Sequence, residues 1–382
     1  MVRRAARRAQ HGGLVMKLAL EGVGKTVEGE MHLADISCPF NSGINVLLGP
    51  TGAGKTSLLR LLAGLDRPSS GRILLDGQDI TALGVKKRSV AMVYQQFVNY
   101  PSLTIYENIA SPLRQGATRV PAAEIDGRVR EAARLLHIDN LLDRMPNQLS
   151  GGQQQRTAIA RAIVKGADLL LLDEPLVNLD YKLREELRIE LRSLFAKRDT
   201  VVVYATTEPS EALLLGGDCV VLDRGRALQS GPTLQVFHHP ATTRVGELFS
   251  DPPMNLLEAT IDHGHVRLAP ELAFPLPAHM RDLAPGRYRL GVRPNHVTLQ
   301  TAGAEGVAID AQVDLAEISG SETYLHLRHH DLAFIAQVKG VHAFELGAPA
   351  RVWLDRARLF AFDAESRLVG APGNGIAAGT GG

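Results

Sequence analysis

Residues 45–56 read NVLLGPTGAGKT. Asn45 to Leu48 is a short apolar run, the pattern of a buried strand. Residues 49–56, GPTGAGKT, fit G-x-x-x-x-G-K-[ST], and Ser57 to Leu65 (SLLRLLAGL) carries leucines at helical spacing. A strand, a glycine-rich loop and a helix in that order read as a phosphate cradle rather than a chance glycine-rich turn. Gly49, Gly52 and Gly54 let the backbone bend tightly and aim N–H groups at phosphate oxygens, with Pro50, Thr51 and Ala53 between them. The helix that opens at Ser57 turns its positive end to the same place. Lys55 supplies a point charge for the outer phosphates. The Thr56 hydroxyl suits Mg²⁺, which keeps most of its remaining shell as water and phosphate.

Short apolar runs alternate with helical patterns from Lys17 onward, as expected of strands fed by crossover helices. Arg72 to Leu75 reads as a strand with a turn at Asp76-Gly77, and Gln153 to Lys165 as a helix stopped by Gly166. Leu183, Leu187, Leu191 and Leu194 mark another amphipathic helix, and Thr200 to Tyr204 (TVVVY) another buried strand. Residues 169–174, LLLLDE, read as a buried strand that delivers Asp173 and Glu174 at its carboxyl end, where ligands sit in open α/β sheets. Asp173 suits the Mg²⁺ shell. Glu174 suits a base that orients or deprotonates an attacking water. Alone, the segment reads equally well as a strand before two solvated acids; the phosphate cradle tips the balance.

The texture changes near Ser250. Asp251-Pro252-Pro253 is a rigid break, and beyond it TIDHGHVRL, RYRLGVRP, IDAQVDLAEI, TYLHLRH, FIAQVKG and ARVWLD are short strand-like runs parted by Gly and Pro. They predict a small sheet or barrel. GAPGNGIAAGTGG at the end is too rich in Gly and Ala to bury a core.

Composition narrows the function. Across 382 residues, 42 Lys and Arg balance 41 Asp and Glu, which argues against a dedicated nucleic-acid binder. Hydrophobic residues make up 45% and charged residues 22%, an ordinary globular mix. Cys38 and Cys219 make neither a disulfide framework nor a metal spacing, as in a reducing compartment. No apolar run approaches the ~20 residues that span a bilayer, so the chain itself is not expected to cross one. MVRRAARRAQHGGLV, residues 1–15, has four arginines and no signal-like apolar core, and reads as a disordered extension ahead of Met16.

LSGGQQQR, Leu149 to Arg156, adds a third element. Ser150, Gly151 and Gly152 open a helix and so make a second anion-seeking N-terminus. With the two elements above it resembles the signature of ATP-binding-cassette (ABC) ATPases. The resemblance implies a P-loop NTPase cassette in which two chains meet head to tail. Each ATP is then held between one chain's phosphate loop and the other's Ser150 to Gln153. Tyr94-Gln95-Gln96 resembles the Q-loop, making Gln95 a contact to Mg²⁺ and water and a hinge toward a membrane partner. Asn178-Leu179-Asp180 resembles the D-loop, with Asp180 reaching the neighbouring site. NYPSLTIYENIASPL, Asn99 to Leu113, resembles the permease-facing stretch of importer ATPases, with Tyr100 and Tyr106 read as packing residues. DPPMNLLEATI, GVRPNHV and EISGSETYLHL resemble the OB-like regulatory domain of sugar and glycerol-phosphate importer ATPases. The expected organisation is residues 16–248 for the cassette, with a helical subdomain near 97–150, then 249–366 for the all-β domain and 367–382 for a disordered tail.

Two departures stand out. The family places an aromatic residue against adenine, yet Glu21 to Met31, with Val27 near the expected place, holds none. Such a stack is worth about 0.5–1.5 kcal/mol, so its loss weakens binding up to about tenfold. After TVVVY the family places a His on the γ-phosphate, and here Thr207 stands in its place. Loss of one positioned transition-state donor costs about 10²–10³ in kcat.

The resemblance thus implies an ATP-hydrolysing, energy-coupling subunit of a membrane importer for sugars, polyols such as glycerol, or glycerol phosphate. Glu174, Gln95 and Thr207 would be its catalytic residues, and Thr56, Gln95 and Asp173 its Mg²⁺ contacts. It would pair with itself or a second cassette ATPase and with transmembrane permease subunits. It would serve a solute-binding protein indirectly, from the cytoplasmic face of the inner membrane. Thr207 keeps open a weakly hydrolysing partner in a heterodimer. A soluble cassette ATPase of repair or translation is the other alternative.

Overall fold

The computed structural model describes residues 17–96, 98–114, 120–177, 179–196, 199–301 and 303–373. The expected N-terminal extension and Asn178 lie outside them. Two compact units result, one ending at Thr233 and the next beginning at Leu234.

The first unit opens with strands β1 (Lys17–Val27), β2 (Glu30–Asn41) and β3 (Gly43–Leu48), then the glycine loop and helix α1 (Lys55–Ala63). Next come β4 (Ser70–Leu75), β5 (Gln78–Asp79) and β6 (Val90–Val93). Helices α2 (Ile105–Arg114), α3 (Ala122–Leu135) and α4 (Gly151–Val164) follow. The unit closes with β7 (Leu169–Asp173), α5 (Tyr181–Ala196), β8 (Val201–Thr206), α6 (Pro209–Leu215), β9 (Asp218–Asp223) and β10 (Arg226–Pro232). Among the described residues the main sheet runs β10-β9-β3-β8-β7-β6, parallel from β9 to β6, and a smaller antiparallel sheet runs β2-β1-β4-β5.

Burial explains the strands. All residues of β7 and β8 are buried, as expected of central strands covered on both faces. Leu58, Leu59, Leu61 and Leu62 of α1 join Leu169, Leu171, Val201 and Val203 in one core with Leu18, Leu33 and Phe40 of the smaller sheet. Helix α1 begins at Lys55 rather than Ser57 and stops at Gly64, whose φ of 73° is the left-handed stop that glycine permits.

Register places the chemistry. β3, β8 and β7 are adjacent, with Leu48 opposite Thr206 and Asp173 opposite Ala205. The chain therefore leaves three neighbouring strands at one edge of the sheet, at Gly49, Thr207 and Glu174. Binding at such carboxyl edges is the general rule of open α/β sheets.

Helices α7 (Thr233–His238) and α8 (Thr243–Leu248) lead into β11 (Asn255–Asp262), β12 (His265–Ala269), β13 (Leu272–Pro275), β14 (Gly286–Val292) and β15 (Val297–Thr298). Then come β16 (Gly306–Ser319), β17 (Glu322–His329), β18 (Leu332–Lys339), β19 (Pro349–Asp355), β20 (Phe360–Phe362) and β21 (Leu368–Gly370). Among the described residues they form antiparallel sheets ordered β13-β12-β11-β14-β20-β21 and β15-β19-β16-β17-β18. Leu257, Val266, Leu290 and Val292 of the first share one core with Ile309, Val313, Leu325 and Val352 of the second. The expected all-β domain is thus present.

Its edges differ from the sequence reading. The Thr243 N–H donates to Ser366 O (3.0 Å), and the Leu368 N–H to Ala241 O (3.1 Å), which draws residues before 249 into this unit. The same bonds order the start of the expected tail. Leu368 packs on Phe360, Phe362 and Met254, so Leu368–Gly370 is a strand; residues 374–382 lie outside the described residues. Arg293 of the GVRPNHV stretch explains the anchoring. Its guanidinium lies 3.7 Å from the Phe237 ring centroid and 5.0 Å from that of Phe360, and it donates to Phe237 O at 2.6 Å.

Candidate active site

The glycine loop is shaped by close approach. A Cβ on Gly49 would stand 2.2 Å from Leu222 O. Gly54 caps α1 at φ 100°, where a Cβ would also meet Leu33 Cδ2 at 2.8 Å. A side chain at Gly54 would be strained and crowded at once, and one at Gly49 would be crowded. The loop backbone is therefore pinned against β2 and β9 with its N–H groups at the mouth of α1.

Lys55 is 5% exposed and donates to Gly49 O (2.7 Å) and Pro50 O (3.1 Å). Its Nζ also lies 3.3 Å from Glu174 Oε1. Burial lowers its pKa, and the Glu174 carboxylate works the other way. Thr56 Oγ1 donates to Asp173 Oδ2 at 2.8 Å. Burial raises the Asp173 pKa, with the Thr56 bond opposing it. A buried carboxylate beside a hydroxyl is a hard-oxygen pair, the donor chemistry that Mg²⁺ takes while keeping water and phosphate as its other ligands.

Glu174 follows β7 at φ 46°, a conformation costly to a residue with a Cβ. Its N–H is held by Ala205 O at 3.1 Å. Gln95 Nε2 donates to Glu174 Oε2 at 3.3 Å. Lys55, Thr56, Asp173, Glu174 and Gln95 thus converge on one spot, although residues 55, 95 and 174 are far apart in sequence.

Of the remaining expected residues, Ser150, Asp180 and Thr207 share no hydrogen bond with that cluster among the described residues. Ser150 caps α4 through a reciprocal box: its Oγ accepts from the Gln153 N–H (3.4 Å), and its own N–H donates to Gln153 Oε1 (3.0 Å). Ser150 and Gly151 are exposed, so this helix mouth faces solvent. Asp180 is exposed and accepts from the Leu183 N–H at the start of α5 (3.0 Å). Thr207 is exposed, and its hydroxyl makes no hydrogen bond among the described residues. Val27 and Met31 flank the tip of the β1–β2 hairpin, 37% and 57% exposed, and no aromatic ring stands between them.

Sequence reasoning missed a charged network beside Thr207. Arg188, 5% exposed, donates to Glu211 Oε1 (3.0 and 2.8 Å) and Glu208 Oε2 (2.6 Å). Arg184 donates to Glu208 Oε1 (2.9 Å), and Thr206 to Glu211. Arg184 and Arg188 one turn apart, with Glu208 and Glu211 also one turn apart, were the available signal. A groove of about 630 Å³ is a second omission, lined in part by Leu65, Tyr94, Tyr100, Leu103, Arg161 and Lys165. Tyr100 is 49% exposed there, with Arg161 5.0 Å over its ring.

The sn-glycerol-3-phosphate import ATP-binding protein UgpC of Salmonella typhi is 39% identical over 312 residues, 81% of this chain and 86% of that protein. A family model described as ABC transporter matches residues 33–177, and a TOBE domain model matches residues 290–362. The chain belongs to the ABC transporter family. UgpC 3 of Agrobacterium fabrum is 36% identical over 358 residues, 92% of this chain and 99% of that protein. Among solved structures, the dimeric ATP-binding cassette MJ0796, in a post-hydrolysis state with ADP and Pi, matches with a TM-score of 0.51 at 26% identity. It covers 56% of this chain and 98% of that one. As an ABC cassette, then, this chain keeps the phosphate loop and both acids but carries Thr207 after β8 and a hairpin without an aromatic ring.

Proposed function

We propose that this chain is the energy-coupling ATPase subunit of an ABC importer for glycerol phosphate, a related polyol or a sugar. The observation that carries the reading is the convergence of Lys55, Thr56, Asp173, Glu174 and Gln95 at the ends of β3 and β7. Gly49 to Ser57 receive the triphosphate, and Lys55 exchanges Glu174 for its outer phosphates. Thr56, Asp173 and Gln95 would hold Mg²⁺, which would supply positive charge against the phosphate oxygens. Glu174, released from Lys55, orients the attacking water and takes its proton. Positioning and charge supply most of the rate, with no covalent intermediate.

Ser150 to Gln153 serve the nucleotide of a second subunit, which their exposed helix mouth supports. Asp180 reaches the same neighbour. The groove at Tyr100 takes a permease segment, and Gln95 transmits closure to it. The subunit is peripheral, on the cytoplasmic face of the membrane that holds the permease, and meets a solute-binding protein only through that permease. Among the described residues no helix is long and apolar enough to cross a membrane.

The test is reconstitution with the co-purifying membrane subunits in vesicles, with ATP hydrolysis and uptake of sn-glycerol 3-phosphate measured together. Coupled activity abolished by Glu174→Gln is expected. ATP hydrolysis that no candidate solute stimulates would reject the cargo, and equal activity with Glu174→Gln would reject the site.

Thr207 favours a second reading, a weakly hydrolysing partner beside a different ATPase. Removing Glu174 and the partner's corresponding acid separately distinguishes the two. Equal losses of turnover exclude the unequal pair.

A further inference from the structure

We infer that Arg184 is a positioning residue for hydrolysis: it clamps the loop that follows Glu174 to the loop that carries Thr207. The inference rests on the proposal that ATP is hydrolysed at this chain's own Glu174.

The two loops leave adjacent strands. Glu174 is tied to β8 by a single bond, its N–H to Ala205 O. Beyond it, residues 175–177 and 179–180 precede α5, where Arg184 lies in the first turns. One Arg184 terminal nitrogen, Nη2, donates to Val177 O and Leu179 O, both at 3.2 Å. The other, Nη1, donates to Glu208 Oε1 at 2.9 Å. Glu208 is the residue after Thr207, and its N–H donates to Thr206 Oγ1 at 3.0 Å. Its second carboxylate oxygen accepts from Arg188, which is fixed in turn by Glu211. A single guanidinium therefore holds two carbonyls of the loop after Glu174 and the carboxylate after Thr207.

This arrangement needs arginine. Its planar fork sends donors in two fixed directions, whereas a lysine ammonium is a single point on a flexible stem. It also matters for rate. Misplacement of a reacting group by ~1 Å costs about 10²-fold, and a site without a histidine after β8 has fewer donors to absorb the error. Arg184 makes no hydrogen bond to Glu174 itself; it sets where both loops stand.

The experiment uses the full chain assembled with its permease. Arg184→Lys, Arg184→Met, Glu208→Gln and the double variant Arg184→Met/Glu208→Gln are compared with wild type for kcat, for KM of ATP and for melting temperature. Each single change is expected to lower kcat about tenfold or more while KM stays within about twofold, because positioning is lost and binding is not. The double variant is expected to be no worse than the worse single, since both remove one clamp. Unchanged kcat in Arg184→Lys overturns the inference, and so does a KM that rises as kcat falls. A double loss equal to the product of the single losses overturns it too. Should Arg184→Met fail to fold, Arg184→Lys decides alone, because it keeps charge and stem. Wild type without turnover would instead reject hydrolysis at this site and take the clamp with it. Active wild type beside equally active Arg184 variants rejects the clamp only.

Discussion

Asp173 and Lys55 are buried charges that a nucleotide-free cassette has little use for. The Asp173 pKa is raised by burial, so the folded chain disfavours its ionised form. The folded state binds this proton more tightly than the unfolded chain, so the group favours folding at acid pH and that contribution is lost as pH rises through the folded pKa. Asp173→Asn should therefore raise the melting temperature of the nucleotide-free chain at pH 7, and raise it less at pH 4, while abolishing turnover. Each kcal/mol recovered moves the midpoint by roughly 2–4 °C in a unit of this size. A lower midpoint at pH 7 would show that the Thr56 bond outweighs the burial cost. Thr207 makes the opposite trade. Thr207→His replaces the hydroxyl with a longer donor, charged when protonated, at the edge of β8 and should raise kcat by about 10-fold to 10²-fold, read in the assembled ATPase. No gain would mean that another group already acts on the γ-phosphate. These residues differ in how legible they were. Lys55 and Thr56 stand in a local motif whose spacing is its own evidence. The Arg184–Glu208 bond joins residues that only the pairing of β7 with β8 brings together; the turn-spaced arginines and glutamates mark two charged faces but not that they meet.

Strand and helix identity followed from pattern where the pattern was strong. LLLLDE and TVVVY became β7 and β8 because both faces of those strands are covered. Ends were harder. Helix α1 reaches back to Lys55 because Gly54 can take φ 100°, a backbone choice that leucine spacing does not encode. The strand at Leu368–Gly370 was hidden by its Gly-rich surroundings, and it forms because Leu368 finds Phe360 and Phe362. The GVRPNHV stretch carried a family likeness but no reason. Arg293 supplies one, as the pin between α7 and the β14 end of its sheet. Burial pushes its pKa down to about 10, so the guanidinium stays charged at neutral pH at some cost. The two ring faces and Phe237 O work against that cost. Arg293→Met should thus destabilise the second unit by about 1–3 kcal/mol, because Phe237 O loses its donor and the cation–π contacts go. Calorimetry of the full chain is the measurement, with nucleotide binding by the first unit unchanged. A second-unit transition at the wild-type temperature would assign Arg293 no anchoring role.

Across the molecule, the arrangement of Ser150 makes the sharpest demand. Its helix mouth faces solvent and, among the described residues, shares no hydrogen bond with Lys55, Asp173 or Glu174. A site completed by a second chain satisfies it. Two mixed dimers separate that reading from a site built within one chain. In the first, one subunit carries Lys55→Ala and the other Ser150→Arg. In the second, one subunit carries both changes and the other is wild type. If the two groups on each ATP come from different subunits, the first dimer keeps one whole site and the second keeps none. If they come from the same subunit, the first keeps none and the second keeps one. Dimers purified through a different tag on each subunit and assayed for ATP hydrolysis should therefore be active only in the first arrangement. Activity confined to the second would dismantle the shared site, whatever the family likeness, because no placement of Ser150 on a partner's nucleotide yields it.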